Sequence, residues 1–253
     1  MKKAGLQRPA FFVYHALWCA IDWLYPPTCG GCGCQGERWC LACQQADKIY
    51  GPVCPICGDI QTNDQLCLQC QAATPAYVAL RSWGIHRGPL QEAVHQLKYK
   101  GDIGIGEPLS KHLIDLYNDL KWQVDLVVAV PLSKSRLKDR GYNQAGMLAR
   151  PLAYAIHKPY LPGAIQRKRE TRSQVGLNAH QRHENVKEAF QAIEAQVREK
   201  VILLIDDVTT TGSTISACSQ ALTLAGASAV YGLTLSRAVL QADADDRPTQ
   251  SHS

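Results

Sequence analysis

Two hydrophobic periods alternate along this chain. Near-continuous apolar runs at Val124–Val130, Val201–Ile205 and Ala229–Leu235 mark strands buried on both faces of a parallel sheet. Tyr77–Ile85 adds a strand with Tyr77, Ala79, Arg81 and Trp83 on one face, and Tyr160–Ile165 adds another. Helical spacing takes over between them. Leu90, Val94 and Leu97 recur in Pro89–Tyr99, and Leu109, Leu113, Leu116 and Leu120 recur in Ile105–Leu120. Gln144–Ile156 and Ile215–Ala225 follow the same period. Strand, helix, strand in this rhythm predicts an α/β fold built on a parallel sheet with right-handed crossovers.

The ends of the chain depart from this pattern. Lys2, Lys3 and Arg8 precede an apolar run from Ala10 to Ile21, which superficially resembles a signal peptide. No clear small-x-small cleavage site follows, and Trp23, Leu24 and Tyr25 continue the apolar character up to Pro26. The expectation is an amphipathic helix over residues 1–25, packing Phe11, Leu17, Trp18 and Leu24 on the body, with peripheral membrane contact as the competing reading. No stretch is long and clean enough for a transmembrane helix. Gln241–Ser253 is polar and Asp-rich and reads as a disordered tail.

Cysteine usage divides the remainder. Of 11 Cys, ten lie before position 71, so a cysteine-rich region over 26–75 precedes a mostly cysteine-free α/β domain over 76–240. Eight of them form C-x-x-C pairs: Cys29/Cys32, Cys40/Cys43, Cys54/Cys57 and Cys67/Cys70. Each pair can aim two thiolates at one tetrahedral zinc, and two pairs close a site. Two zinc ribbons in tandem are the simplest reading. A disulfide framework would scatter cysteines throughout a small domain instead. Four thiolates leave no position for water, so the zinc would be structural. Cys34 lies close enough to substitute for Cys32. Cys19 and Cys218 read as buried small hydrophobes.

The richest chemistry follows the Val201–Ile205 strand. Asp206 and Asp207 come at its carboxyl end, then Val208, Thr209, Thr210, Thr211, Gly212, Ser213 and Thr214, then the Ile215 helix. Backbone N–H groups at a helix amino terminus, with neighbouring hydroxyls, make an anion site. The acids would repel phosphate but suit a ribose diol, whose hydroxyls donate to carboxylates. The order of strand, acid pair and Thr-Thr-Gly-x-Thr closely resembles the ribose-phosphate motif of type I phosphoribosyltransferases. The lysine of a P-loop is absent.

A cationic loop from Pro131 to Gln144, carrying Lys134, Arg136, Lys138 and Arg140, follows the Val124–Val130 strand, where open α/β sheets bind ligands. Arg forks there would match diphosphate oxygens. A second cationic loop, 167–177, could close over the reacting centre. The formal charge of +5 permits polyanion binding without demanding it.

These pieces together resemble the ComF family of competence-associated phosphoribosyltransferase-like proteins. The matching segments are the C-x-x-C ribbon, Leu97-Lys98-Tyr99, Val130-Pro131-Leu132, Arg140-Gly141-Tyr142-Asn143-Gln144, Thr171 to Gln174 with Arg182 and Asn185, and Ile205 to Thr214. The resemblance implies a type I phosphoribosyltransferase-like sheet and a role in handling incoming DNA, through transformation or DNA used as a nutrient. It implies that Asp206 and Asp207 hold the ribose hydroxyls of phosphoribosyl pyrophosphate, and that Val208 to Thr214 cradle the 5-phosphate. Lys98, Pro131, Lys134, Arg136 and Arg169 become pyrophosphate candidates, with magnesium bridging pyrophosphate and ribose. Catalysis, a DNA-binding adaptor and a metabolite-sensing regulator all fit this motif. Single-stranded DNA and DNA-uptake machinery are the macromolecular partners it suggests. Reduced thiolates and a phosphorylated substrate place such a chain in the cytoplasm, with the membrane's inner face as the peripheral alternative.

Overall fold

A computed structural model describes residues 26–45, 48–168 and 189–239. The expected amino-terminal helix, Cys19, Arg169, most of the second cationic loop and the acidic tail lie outside the described residues.

Four parallel strands form the central sheet in the order β1-β6-β5-β2. They are β1 (Ala79–Ile85), β2 (Leu126–Ala129), β5 (Val201–Thr209) and β6 (Ala229–Arg237). A short antiparallel pair, β3 (Ile165–Arg167) with β4 (Phe190–Ala192), stands apart from it. The strand expected at Tyr160–Ile165 therefore divides. Tyr160 makes only a one-residue parallel bridge to Val127, and the longer pairing begins at Ile165.

Two short helices, α1 (Leu41–Gln44) and α2 (Leu68–Ala72), belong to the cysteine region. The longer helices sit where period and capping put them. Helix α3 (Gly88–Tyr99) has proline in its first turn, where a missing N–H costs nothing. Helix α4 (Gly106–Leu120) follows a 3-10 turn at Ile103–Ile105. Ser133 caps α5 (Lys134–Arg140), its Oγ accepting from Arg136 N at 3.3 Å. Asn143 caps α6 (Gln144–Ala155), accepting from the N–H groups of Ala145 and Gly146. After α7 (Glu194–Val197), α8 (Ser213–Leu224) connects β5 to β6.

Each face of the sheet carries its own core. Leu203, Ile205, Leu233 and Leu235 pack with α3, α4 and α6, while Ile202, Leu204 and Val230 pack with α8, β3 and β4. Alternation along β5 and β6 produces both sets. Tyr77 lies before β1 and joins the second core while Trp83 joins the first, so the single face expected for those two residues is not formed.

The cysteine region straddles the β1 edge. Lys48 bridges Gly84 in antiparallel fashion, and Ile49 N donates to Trp83 O at 2.9 Å, covering an otherwise open edge. Before this crossing, Cys29, Trp39 and Cys43 enter the first core. After it, Cys54, Cys57, Cys67 and Cys70 enter the second. Trp39 Nε1 donates to His112 Nε2 at 2.7 Å, and His112 stacks on Trp83 at 3.8 Å. Burial, with Lys48 and Lys111 nearby, lowers the His112 pKa to about 4 and keeps that ring neutral.

Candidate functional site

Strand order locates the site. From β2 the chain passes through α6 to the Tyr160 bridge on one side of the sheet. From β5 it passes through α8 to β6 on the other. The direction reverses between β2 and β5, and open α/β sheets bind ligands at the carboxyl ends of such strands. A cavity of about 680 Å³ opens there. Lys98, Pro131, Arg136, Asp206, Asp207, Val208 and Thr214 line it, as the sequence suggested. A second cavity of about 650 Å³ lies between the β3–β4 pair and α8, away from the acid pair.

The acid pair is held more firmly than expected. Strand β5 does not stop at Ile205. It pairs with β6 as far as Thr209, with Asp206 opposite Thr234 and Val208 opposite Ser236. The two aspartates are thus strand residues and not the start of a loop. Asp207 is 3% exposed and lies at the floor of the cavity, whereas Asp206 is half-buried. Lys98 Nζ meets Asp207 Oδ2 at 2.5 Å, and Gln144 Nε2 donates to Oδ1 at 3.3 Å. The Asp207 backbone N–H donates to Asp206 Oδ1 at 2.9 Å.

Their environments drive the two carboxyls apart. Burial, and then the neighbouring Asp207 charge, push the Asp206 pKa well above the carboxylate range. Burial also opposes ionisation of Asp207, but the Lys98 ammonium and hydrogen bonds to the carboxylate bring its pKa below the ordinary value. The pair is therefore unequal: Asp207 is held as the accepting carboxylate, and Asp206 is the more readily protonated of the two.

Beyond Thr209 the chain turns through Gly212, at φ 78°, into the amino terminus of α8, whose first N–H, that of Ser213, donates to Thr211 Oγ1 at 3.4 Å. A Cβ at Gly212 would lie 2.7 Å from Tyr77 Oη. Thr210, Thr211, Ser213 and Thr214 are exposed, while Thr209 is buried. Arg237, buried at the end of β6, donates to Thr210 O at 3.1 Å and to Cys57 O. The same guanidinium approaches Asp59 at 3.6 Å. The underside of the turn is therefore tied to the second cysteine group.

The first cationic stretch is not a loop. It forms α5, whose four-residue spacing sends Arg136 and Arg140 into the cavity. Lys134 and Lys138 are exposed and do not line it. Tyr99, Arg140, Gln144 and Arg167 also line the cavity; Arg140 and Gln144 lie in the first cationic stretch and Arg167 begins the second, but sequence reasoning names none of the four as an individual pyrophosphate candidate. Arg140 Nη1 donates to Gln144 Oε1 at 2.8 Å and its guanidinium lies 4.8 Å from the Tyr99 ring centre. Periodicity could have flagged Arg140 through its four-residue spacing from Arg136. No pattern signals Tyr99, and Arg167 is signalled only as the first residue of the second cationic loop.

The cysteines converge in two groups. Cys54, Cys57, Cys67 and Cys70 are all buried, with their sulfurs mutually within 4.8 Å. Cys57 Sγ and Cys67 Sγ are 3.5 Å apart, close to the roughly 3.8 Å between thiolates on a tetrahedral zinc. The first group closes differently from expectation. The sulfurs of Cys29, Cys32, Cys34 and Cys40 likewise lie mutually within 4.8 Å, and Cys43 is buried outside that group. Cys34 does not replace Cys32, because both belong to the group.

Fold and site together define the class: a phosphoribosyltransferase-like parallel α/β sheet with an amino-terminal zinc-ribbon region. Residues 20–71 match the model of the double zinc ribbon domain. The chain belongs to the ComF family. It is 34% identical over 197 residues to DNA utilization protein YhgH of Escherichia coli strain K12, covering 76% of this chain and 86% of that one. Competence protein F of Haemophilus influenzae is 30% identical over 207 residues, covering 79% and 90%. Competence protein ComFC of Bacillus subtilis is 29% identical over 213 residues, covering 79% and 85%.

Among solved structures, the chain is similar to adenine phosphoribosyltransferase from Trypanosoma brucei at 13% identity and a TM-score of 0.36, covering 61% of this chain and 73% of that one. It is also similar to the allosteric regulatory enzyme of purine biosynthesis at 19% identity and a TM-score of 0.37, covering 51% of this chain and 26% of that one. At such scores neither adds to the class, which rests on strand order, motif and family. No helix among the described residues is long and apolar enough to cross a membrane.

Proposed function

We propose that the cavity between β2 and β5 binds phosphoribosyl pyrophosphate, or a closely related ribose phosphate, together with magnesium. One observation carries this reading. The acid pair and Thr214 of α8 line one side of a single cavity whose other walls bring Arg136, Arg140 and Arg167. The ribose diol would sit on Asp206 and Asp207, whose carboxyl oxygens accept from its two hydroxyls. The 5-phosphate would sit over residues 209–214, against the amino terminus of α8. The pyrophosphate would face the arginines, whose planar forks suit its oxygens.

Lys98 occupies Asp207 in this structure and would turn from that carboxylate toward the diphosphate as the ligand enters. Magnesium, when bound, would neutralise charge on the diphosphate while keeping several of its waters. In a transfer reaction, pyrophosphate would leave the anomeric carbon and a nucleophile would take its place. The arginines would stabilise the departing charge. The biological setting we propose is DNA utilisation or competence, the processes that name the relatives at 29–34% identity.

Calorimetric titration of the full chain with phosphoribosyl pyrophosphate and magnesium tests the ligand. Saturable one-to-one binding is expected. Asp206→Asn with Asp207→Asn should weaken it at least tenfold, a loss of about 1.4 kcal/mol or more. Absent binding by wild type, or unchanged affinity in the double variant, contradicts the proposal.

A further inference from the structure

The first cysteine group has one thiol too many. Four ligands complete a tetrahedral zinc site, yet five cysteines converge here. The sulfurs of Cys29, Cys32, Cys34 and Cys40 lie mutually within 4.8 Å. Cys43 lies outside that group, yet it completes the Cys40/Cys43 C-x-x-C pair and is buried with Cys29 in the first core. Cys32 Sγ and Cys40 Sγ, which belong to both the spacing pairs and that group, are 3.6 Å apart. Three cysteines are therefore common to two alternative sets of four. We propose that the first metal site has five cysteine sulfurs for four positions, with Cys34 and Cys43 competing for the last.

The alternatives differ in access. Cys43 is 2% exposed and packs in the first core beside Trp39, so the set containing it has two buried members, Cys29 and Cys43. Cys34 and Cys32 are exposed, so the set containing Cys34 is open to solvent on that side. Passing the fourth position from Cys43 to Cys34 keeps the metal four-coordinate while moving it toward the surface. The exchange changes no oxidation state: the Cys34 thiol gives up its proton as it binds and the released Cys43 sulfur takes one up, so the charge of the site is unchanged. The second group has four buried cysteines and no such exit. The two sites are thus unequal. The second is a closed structural site, and the first is a site from which metal can be exchanged with external thiolate or nitrogen ligands.

Zinc release from the full-length, zinc-loaded chain to 4-(2-pyridylazo)resorcinol tests this. Wild type should hold two zinc ions and release one at least tenfold faster than the other. Cys34→Ser removes an exposed side chain, so the fold should persist; it should still hold two ions and slow the fast phase at least threefold. Cys43→Ser should also hold two ions, with Cys34 completing the site, and release one faster than wild type. Cys40→Ser breaks both sets and should hold a single ion.

Loss of an ion in Cys34→Ser would show that Cys34 is a dedicated ligand and overturn the competition. Loss of an ion in a folded Cys43→Ser chain would show that Cys34 cannot serve, with the same consequence. If Cys43→Ser does not fold, the Cys34→Ser release rate decides alone, and an unchanged fast phase overturns the proposal. A wild-type chain holding fewer than two ions would contradict the double ribbon itself. The cobalt-substituted chain gives a second readout: four-thiolate spectra should persist at both sites in wild type and Cys34→Ser, and a lost site in Cys34→Ser again means a dedicated ligand.

Discussion

Lys98 is the side chain on which the acid pair depends. Its ammonium stabilises a carboxylate that burial would otherwise protonate. Lys98→Met should therefore destabilise the chain by about 3 kcal/mol near neutral pH, the cost of leaving one partner of a buried pair alone. The sign with pH follows from the depressed Asp207 pKa. Its contribution is present above the ordinary aspartate pKa of about 3.9 and is lost as pH falls through the lower folded value. Denaturant unfolding should show a large gap between wild type and Lys98→Met at pH 7 that narrows toward pH 3. A gap that stays constant would remove Asp207 from the explanation. The importance of Asp206 and Asp207 was legible because their place beside a hydroxyl-rich turn is local. Their partners were not, since Lys98 and Gln144 are 109 and 63 residues away from Asp207 in the chain. Lys98 entered only through a family resemblance, and as a pyrophosphate ligand instead of a carboxylate partner.

At the scale of elements, the turn between β5 and α8 sets the geometry of the ligand loop. Gly212 is required there twice, by its left-handed backbone and by Tyr77 beneath it. Gly212→Ala should cost about 1–2 kcal/mol for the backbone alone, with the Tyr77 clash added. Tyr77→Phe in the Gly212→Ala background should recover the clash, because the ring carbon stands at 3.6 Å where the hydroxyl stood at 2.7 Å. Thermal unfolding of the single and double variants checks this. Equal destabilisation with and without the hydroxyl would mean that the contact does not matter. The helices α3, α4 and α6 were readable from their apolar period. The end of β5 was not, because polar residues ended the hydrophobic signal at Ile205 while ladder pairing with β6 carried the strand four residues further. Helix α5 was missed for a related reason: none of its residues is buried, so it lacks the apolar stripe that marks a helix.

For the whole molecule, the cysteine region is part of both cores. Its two groups contact opposite faces of the sheet, and Arg237 joins the second group to the ligand turn. Chelation should therefore lower the melting temperature of the entire chain and weaken ligand binding with it, and calorimetric scans with and without chelator measure this. An α/β transition unmoved by zinc removal would mean that the ribbons are passengers. Composition showed the ribbon region as a separate segment. Its place across the β1 edge could not be read, because strand order is a property of long-range pairing. The central claim is that a ribose phosphate spans the acid pair and the turn before α8. A crystal structure of the chain with phosphoribosyl pyrophosphate and magnesium tests it most directly. The account predicts the two ribose hydroxyls within hydrogen-bond reach of Asp206 and Asp207, the 5-phosphate on the backbone of residues 210–214, and Lys98 withdrawn from Asp207. A ligand bound with its ribose away from both aspartates, and the Lys98–Asp207 pair intact, would contradict it.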